Sequence, residues 1–322
     1  MSCLIAACSK KAATASGSGP GSAAATSSNP APAKAAGSDG YVLVRGARLL
    51  PREGFKFVTH VIDVSKGTFS IKNEGGESSQ PFTEEVDQHE SLEALSATRA
   101  RYLLEDRVRK RGYSGREASE MLSDRVPLKG KPLLVDGDDE TGIYSIARES
   151  EADRTVDVKT LLEVERLFNN NSSFAIYGSG KPRKPGDHWD VHRLDLRDFC
   201  GLKDPVGTFS VEFLRIEELE GTPCAVLKFS FDLTAESATY TYFWKEQKIA
   251  LKGESTCYRS LADQVDLDLR TMGTRTIQGS RTAGRQPSLF KTFRDSPKEE
   301  VVEETREEST FTYRQLTRIE KR

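Results

Sequence analysis

No stretch of this 322-residue chain approaches the roughly 20 consecutive apolar residues that a membrane-spanning helix requires. That excludes a helical span and leaves a lipid anchor open. The charges nearly cancel, with 47 basic against 49 acidic residues. A body so balanced has no global electrostatic reason to bind nucleic acid. Motifs for nucleotide, phosphate and acyl chemistry are absent. There is no Gly-x-Ser-x-Gly elbow, phosphate-binding loop, His-Glu-x-x-His helix or dinucleotide fingerprint. Gly178-Ser179-Gly180 runs into Lys-Pro and opens no helix. Four histidines leave little general acid–base capacity. None of the five cysteines stands in a Cys-x-x-Cys pair.

Residues 1–40 contain no aromatic side chain, and their only large aliphatics are Leu4 and Ile5. Such an Ala/Ser/Gly/Pro segment buries too little to offset its ordering entropy, which predicts a disordered spacer. A β-rich body is expected over 41–322, with two subdomains meeting near 170 as an option. At the N-terminus, Ile5-Ala6-Ala7-Cys8 resembles a bacterial lipobox, in which the cysteine becomes the lipidated first residue. Few residues precede Cys8, fewer than a basic and an apolar signal region need. The expectation is an exported protein held to a membrane through Cys8, in the periplasm or at the outer membrane. If Met1 is the true start, it is cytoplasmic. The spacer that follows would reach roughly 30 Å as a flexible coil.

What the body does contain is period-two alternation. Val265 to Arg270 alternates strictly, as does Thr208 to Phe213. Ala225, Leu227, Phe229, Phe231 and Leu233 share one face of a third run. Glu218 to Thr222 reads as the turn joining the last two. Thr239 to Trp244 and Ser309 to Leu316 are further strand candidates. In the N-terminal half, 55–62 and 68–72 read as a hairpin about Ser65-Lys66-Gly67. A second hairpin joins 132–135 to 143–146 through the acidic loop 136–142. Val156 to Phe168 has helical spacing with Asp157 as N-cap, and Ser114 to Leu122 is a weaker helix candidate. Gln278 to Ser288 reads as a flexible connection. The fold class expected is mainly β (α+β), a large antiparallel, curved meander sheet with one or two short helices.

Lys181-Pro182-Arg183-Lys184-Pro185-Gly186-Asp187-His188-Trp189 is the most distinctive run. With the strand 207–213 and the segment 220–228 after it, this resembles an uncharacterised family of exported bacterial proteins, a domain of unknown function. The resemblance implies long antiparallel sheets, similar in shape to the curved half-barrel of lipoprotein-localisation carriers. It also implies that 82–111, helical by propensity, is two strands turning near Ser96-Ala97-Thr98. It carries no activity. Read locally, Gly186-Asp187 is a turn and Trp189 packs into the sheet.

Three features invite chemistry. His188, Asp190 and His192 alternate, so a strand would put all three on one face, a ligand set for zinc or a related ion. An alternating strand also produces such a polar face without any metal. Asp136 to Gly142 departs from a calcium loop, because its glycine falls one position late and Ala147 stands where the closing glutamate belongs. Arg99, Arg101, Arg107, Arg109, Lys110 and Arg111 could meet an anionic lipid or polymer, although a solvated face accounts for them equally. The reading that follows is a non-enzymatic envelope protein without cofactor, whose sheet binds an apolar or protein ligand. A structural or interaction module without a cavity is the alternative. A metal-dependent enzyme centred on His188, Asp190 and His192 is the third reading.

Overall fold

Alternation of buried and exposed side chains runs through strands of up to 22 residues in this protein, well beyond the usual five or six. The computed structural model describes residues 40–44, 50–113, 119–120, 128–137, 143–150, 154–169, 172–196, 202–237, 246–284 and 300–321. In chain order the elements are β1 (Tyr41–Val42), β2 (Phe55–Asn73), β3 (Gly76–Ala94), β4 (Arg99–Tyr113), β5 (Ser119–Glu120), β6 (Leu133–Gly137) and β7 (Tyr144–Arg148). Two short helices follow, α1 (Val158–Phe168) and α2 (Ser172–Ile176). Then come β8 (Pro182–Arg183), β9 (His188–Asp190), β10 (Leu202–Leu219), β11 (Thr222–Ser237), β12 (Glu246–Ser260), β13 (Asp266–Gly284) and β14 (Glu300–Lys321).

One large antiparallel sheet runs in the order β7-β6-β4-β3-β2-β14-β13-β12-β11-β10-β9, with β5 added beside β4. Strands β1 and β8 form a separate two-stranded ribbon. The large sheet is two meanders, β2 to β7 and β9 to β13, joined by β14. It does not close into a barrel. β4 and β14 stand three strand spacings apart, about 14 Å along a flat sheet. Arg111 on β4 meets Glu307 on β14 at 2.9 Å across this distance, so both project from one face of the sheet, the inner face.

That inner face has two apolar ends. At one, Phe209, Val211, Phe213, Leu227, Phe229, Phe231, Leu233 and Leu251 are buried beneath Leu43, Val44, Ile176, Tyr177, Trp189 and Leu196. Phe209 stacks on its cross-strand partner Phe231, ring centroids 6.0 Å apart. At the other end, α1 lays Val164 and Phe168 on Tyr102, Leu133, Val135, Tyr144 and Ile146. The Asp157 carboxylate caps α1, accepting from the Thr160 N–H at 2.7 Å.

Several expectations hold. The runs at 208–213, 225–233, 265–270 and 309–316 lie in β10, β11, β13 and β14. Glu220 and Gly221, with φ of 50° and 79°, form the two-residue turn between β10 and β11. The helix over 156–168, the 132–146 hairpin and the strand pair within 82–111 are present. Others are corrected. β2 continues straight through Ser65-Lys66-Gly67, and the hairpin turns instead at Glu74-Gly75. Gly67 is there because β14 presses close: a Cβ on it would sit 1.9 Å from the Glu308 carbonyl oxygen. At the true turn the Asn73 side chain accepts from the Gly75 N–H at 2.9 Å. Gln278 to Gly284, expected as a connection, pairs with β14 along its length. Ser119 and Glu120, expected in a helix, pair with β4. The strand candidate 239–244, the loop 138–142 and the N-terminal tail with Cys8 lie outside the described residues. No helix among the described residues is long and apolar enough to cross a membrane.

Candidate functional site

Between the two apolar ends the inner face mixes buried polar groups with apolar ones, Val61, Phe82, Val86 and Tyr313 among them. Alternation sends Asp63 and Ser65 of β2, Glu84, Gln88 and Glu90 of β3, and Ser309 and Gln315 of β14 inward, and all are buried. β4 adds Arg107, Arg109 and Arg111, paired in register with Gln88, Val86 and Glu84. The basic run therefore does not form a solvated face over this stretch. Arg111 keeps only 13% of its side chain exposed.

The charges form a continuous chain across the strands. Arg109 and Arg111 both bind the Glu84 carboxylate, at 2.9 Å each. Arg111 reaches on to Glu307 at 2.9 Å, and Glu307 accepts from Arg275 of β13 at 3.2 Å. By register, the diagonal from Glu84 to Glu307 crosses β2 at Gly67, where no side chain intervenes. Beside this chain, Arg107 donates to Gln88, Gln88 donates to Glu90 at 2.7 Å, and the Tyr102 hydroxyl donates to the same carboxylate at 2.8 Å. Arg111 also lies over the Phe82 and Tyr113 rings, at 4.4 and 5.1 Å.

The electrostatics follow from the pairing. Burial alone would raise the Glu84 carboxyl, but the Arg109 and Arg111 guanidiniums outweigh it and hold it below its ordinary range. Asp63 is pushed up, because its burial outweighs more distant guanidiniums. Arg111 Nε, Arg275 Nε and Ser309 Oγ are among the buried polar atoms of this strip without a hydrogen-bond partner among the described residues. Ser309 and Arg275 are cross-strand partners. Such unmet donors are expensive in a protein interior unless something accepts from them. Farther along the same strands, an open cavity of about 430 Å³ is lined by Ser70, Lys72, Lys248, Ser280, Glu304 and Arg306, among others. Its walls are polar too.

The landmark run is tied into the sheet by hydrogen bonds. Gly186, at φ 91°, turns the chain. The Asp187 carboxylate accepts from the Lys184 N–H at 3.0 Å, and the Asp187 carbonyl accepts from Phe213 at 2.9 Å. Trp189 is then buried, and its indole N–H donates to the Ile176 carbonyl at 3.0 Å. Arg183 covers the indole ring at 4.4 Å. Beneath it, Arg259 and Asp266 form an almost fully buried ion pair at 2.5 Å. Asp266 also accepts from the Tyr177 hydroxyl at 2.5 Å, and Arg259 donates to the Leu43 carbonyl at 2.8 Å. This knot fastens the segment 40–44 to the sheet. Burial, with Asp266 nearby, raises the Tyr177 hydroxyl and the Cys257 thiol well above their usual ranges. Cys224 and Cys257 are free and buried.

His188 and Asp190 do share a face of β9, 3.6 Å apart, with 59% and 83% of their side chains exposed. The strand ends before His192. There the chain enters a 3-10 turn, and the Leu194 N–H donates to His192 Nδ1 at 3.3 Å. A different group converges on the opposite meander. His60 of β2 faces His89 of β3, and both rings direct Nε2 to Asp87 Oδ1, at 2.8 and 3.3 Å. Sequence periodicity could not bring these together, because the hairpin turn that sets their register was placed at Gly67 rather than Glu74-Gly75.

No protein-family model matches the chain, and no curated protein sequence matches it. Among solved structures it is similar to lipovitellin, in a structure of its lipid–protein interactions, at 7% identity and a TM-score of 0.39. That alignment covers 84% of this chain and 26% of lipovitellin, so the chain spans about a quarter of that protein. It is also similar to an outer membrane lipoprotein-sorting protein domain from Vibrio parahaemolyticus, with 9% identity, 81% and 85% coverage and a TM-score of 0.17. A LolA superfamily protein from Nitrosomonas europaea aligns at 10% identity over 85% and 88%, with a TM-score of 0.14. Likenesses at these scores carry no argument about role, and the fold stands on its own strand register.

Proposed function

We propose that this is a non-enzymatic binding protein of the cell envelope, tethered through Cys8, that takes a protein segment on the inner face of its curved sheet. The observation that supports this is the strip of guanidinium and carboxylate groups between two filled apolar ends, where Arg109 keeps 27% of its side chain exposed. An apolar ligand would strip water from that guanidinium without offering it a hydrogen bond, at about 1–3 kcal/mol. A peptide offers backbone carbonyls and carboxylates that accept from it. The apolar pockets that a purely hydrocarbon ligand would use are occupied by the chain's own Leu43, Val44, Ile176 and Tyr177.

The experiment is a fluorescence titration of the full chain with an extended acidic peptide and, separately, with a fluorescent fatty acid. Saturable peptide binding that weakens about tenfold in Arg109→Gln, the loss of one charged hydrogen bond, is the expected result. Tight fatty-acid binding with no response to the peptide would overturn it in favour of an apolar carrier. Saturation by neither would favour a module acting through its outer surface. The tether is tested by labelled palmitate incorporation in cells, which Cys8→Ser should abolish.

A further inference from the structure

We propose that His60, Asp87 and His89 form a binding site for a divalent transition-metal ion, with Zn²⁺, Ni²⁺ or Cu²⁺ as the class it takes. Two of the chain's four histidines meet here from strands distant in sequence. Their rings stack with centroids 4.1 Å apart and planes 14° from parallel. The ligand atoms of all three side chains lie within 4.8 Å of one another. A tetrahedral ion with bonds near 2.0–2.1 Å wants its ligands roughly 3.3 Å apart. Turning the two imidazoles out of their stack brings their nitrogens to that spacing, with the strand register unchanged. Two imidazoles and one carboxylate suit zinc, nickel or copper better than calcium or magnesium, which prefer all-oxygen shells.

The surroundings hold the group in place. The two histidines are directly opposed in the β2–β3 ladder, which fixes the separation of their Cβ atoms. Asp87 lies one step along the same face, between Ile62 on β2 and Val108 on β4. Asp106, opposite His89, is engaged by Lys129 at 2.5 Å and by the Arg107 N–H at 2.8 Å, so it is an outer neighbour rather than a ligand. His60, Asp87 and His89 keep 32%, 47% and 45% of their side chains exposed. Three protein ligands on an open face leave coordination positions for water or for a group from another molecule. The site lies on the outer face and is independent of the proposed peptide strip.

Full-length protein without a histidine tag, titrated calorimetrically with Zn²⁺, tests this. One saturable ion per chain is expected at pH 7.5. His89→Gln and His60→Asn should each weaken binding at least as much as loss of an outer-shell partner does, about 10- to 100-fold. The double variant His188→Ala, His192→Ala should bind Zn²⁺ like the parent. Cu²⁺ loading should give electron paramagnetic resonance hyperfine structure from two imidazole nitrogens, reduced to one in either single variant. Far-UV circular dichroism should match the parent throughout, since these side chains leave the core untouched. No saturable binding, or binding lost in the His188/His192 variant and kept in the other two, overturns the site.

Discussion

The two stretches of the inner face solve the same problem by opposite means. Around β10 to β12 the sheet is covered by aromatic and aliphatic side chains that fill the space beneath it. Around β2, β3, β4 and β14 it buries arginine, glutamate and glutamine beside Asp63, with the arginines and glutamates stitched together by ion pairs. Apolar burial is nondirectional and contributes in proportion to area. A buried ion chain is directional and contributes little net stability, because desolvation offsets the attraction. The first stretch should therefore hold the fold, and the second should be retained for what it contacts.

The largest effect should come from the apolar end. Phe229→Ala should lower unfolding free energy by about 3–5 kcal/mol in a urea titration, since Phe229 is buried against Phe209 and Tyr177. Next, Glu84→Gln should lose about 3 kcal/mol by leaving Arg109 and Arg111 buried with one partner fewer. Replacing Glu84, Arg109 and Arg111 together with Leu, Met and Met should restore most of that loss while removing peptide binding. A triple variant as weak as Glu84→Gln would break the comparison. Trp189→Phe should cost about 1 kcal/mol through the lost bond to the Ile176 carbonyl.

The smallest effect is one of sign. Glu84 has a lowered folded pKa, so its stabilisation is present above the unfolded value near 4.3 and is lost as pH falls through the folded one. Asp63 has a raised folded pKa, so its contribution is present below about 3.9 and is lost as pH rises through the folded value. Asp63→Asn should therefore move the urea midpoint upward at pH 7 and not at pH 3. An unchanged midpoint at both pH values would show that the carboxylate finds compensation in the strip.

Much of the architecture was legible because alternation is a local signal. Phe209 to Phe213 and Ala225 to Leu233 declare their faces without reference to any partner. The β10–β11 turn was legible too, since Gly221 marks it directly. The β2–β3 turn was not, because glycine serves two purposes there. Gly67 accommodates a neighbouring strand, while Gly75 and Gly76 belong to the turn itself. That single ambiguity shifted the register and hid the approach of His60 to His89. The charged strip was hidden for a related reason. Arg107, Arg109 and Arg111 look solvated in a list of residues, and only the partners supplied by β3, β13 and β14 make them interior.

The placement of β14 has a consequence for how the molecule comes into being. It is synthesised after every strand it joins, yet it occupies the middle of the sheet, between β2 and β13. Each meander can zip from local hairpins as it emerges. Their union must wait for a pairing that spans Lys321 to Phe55, nearly the full body of the chain, and such non-local closures are slow. Until then both β2 and β13 present bare edges, each a template for a second copy. During its biogenesis this protein is two half-sheets awaiting a keystone, and that interval is when a chaperone would matter most.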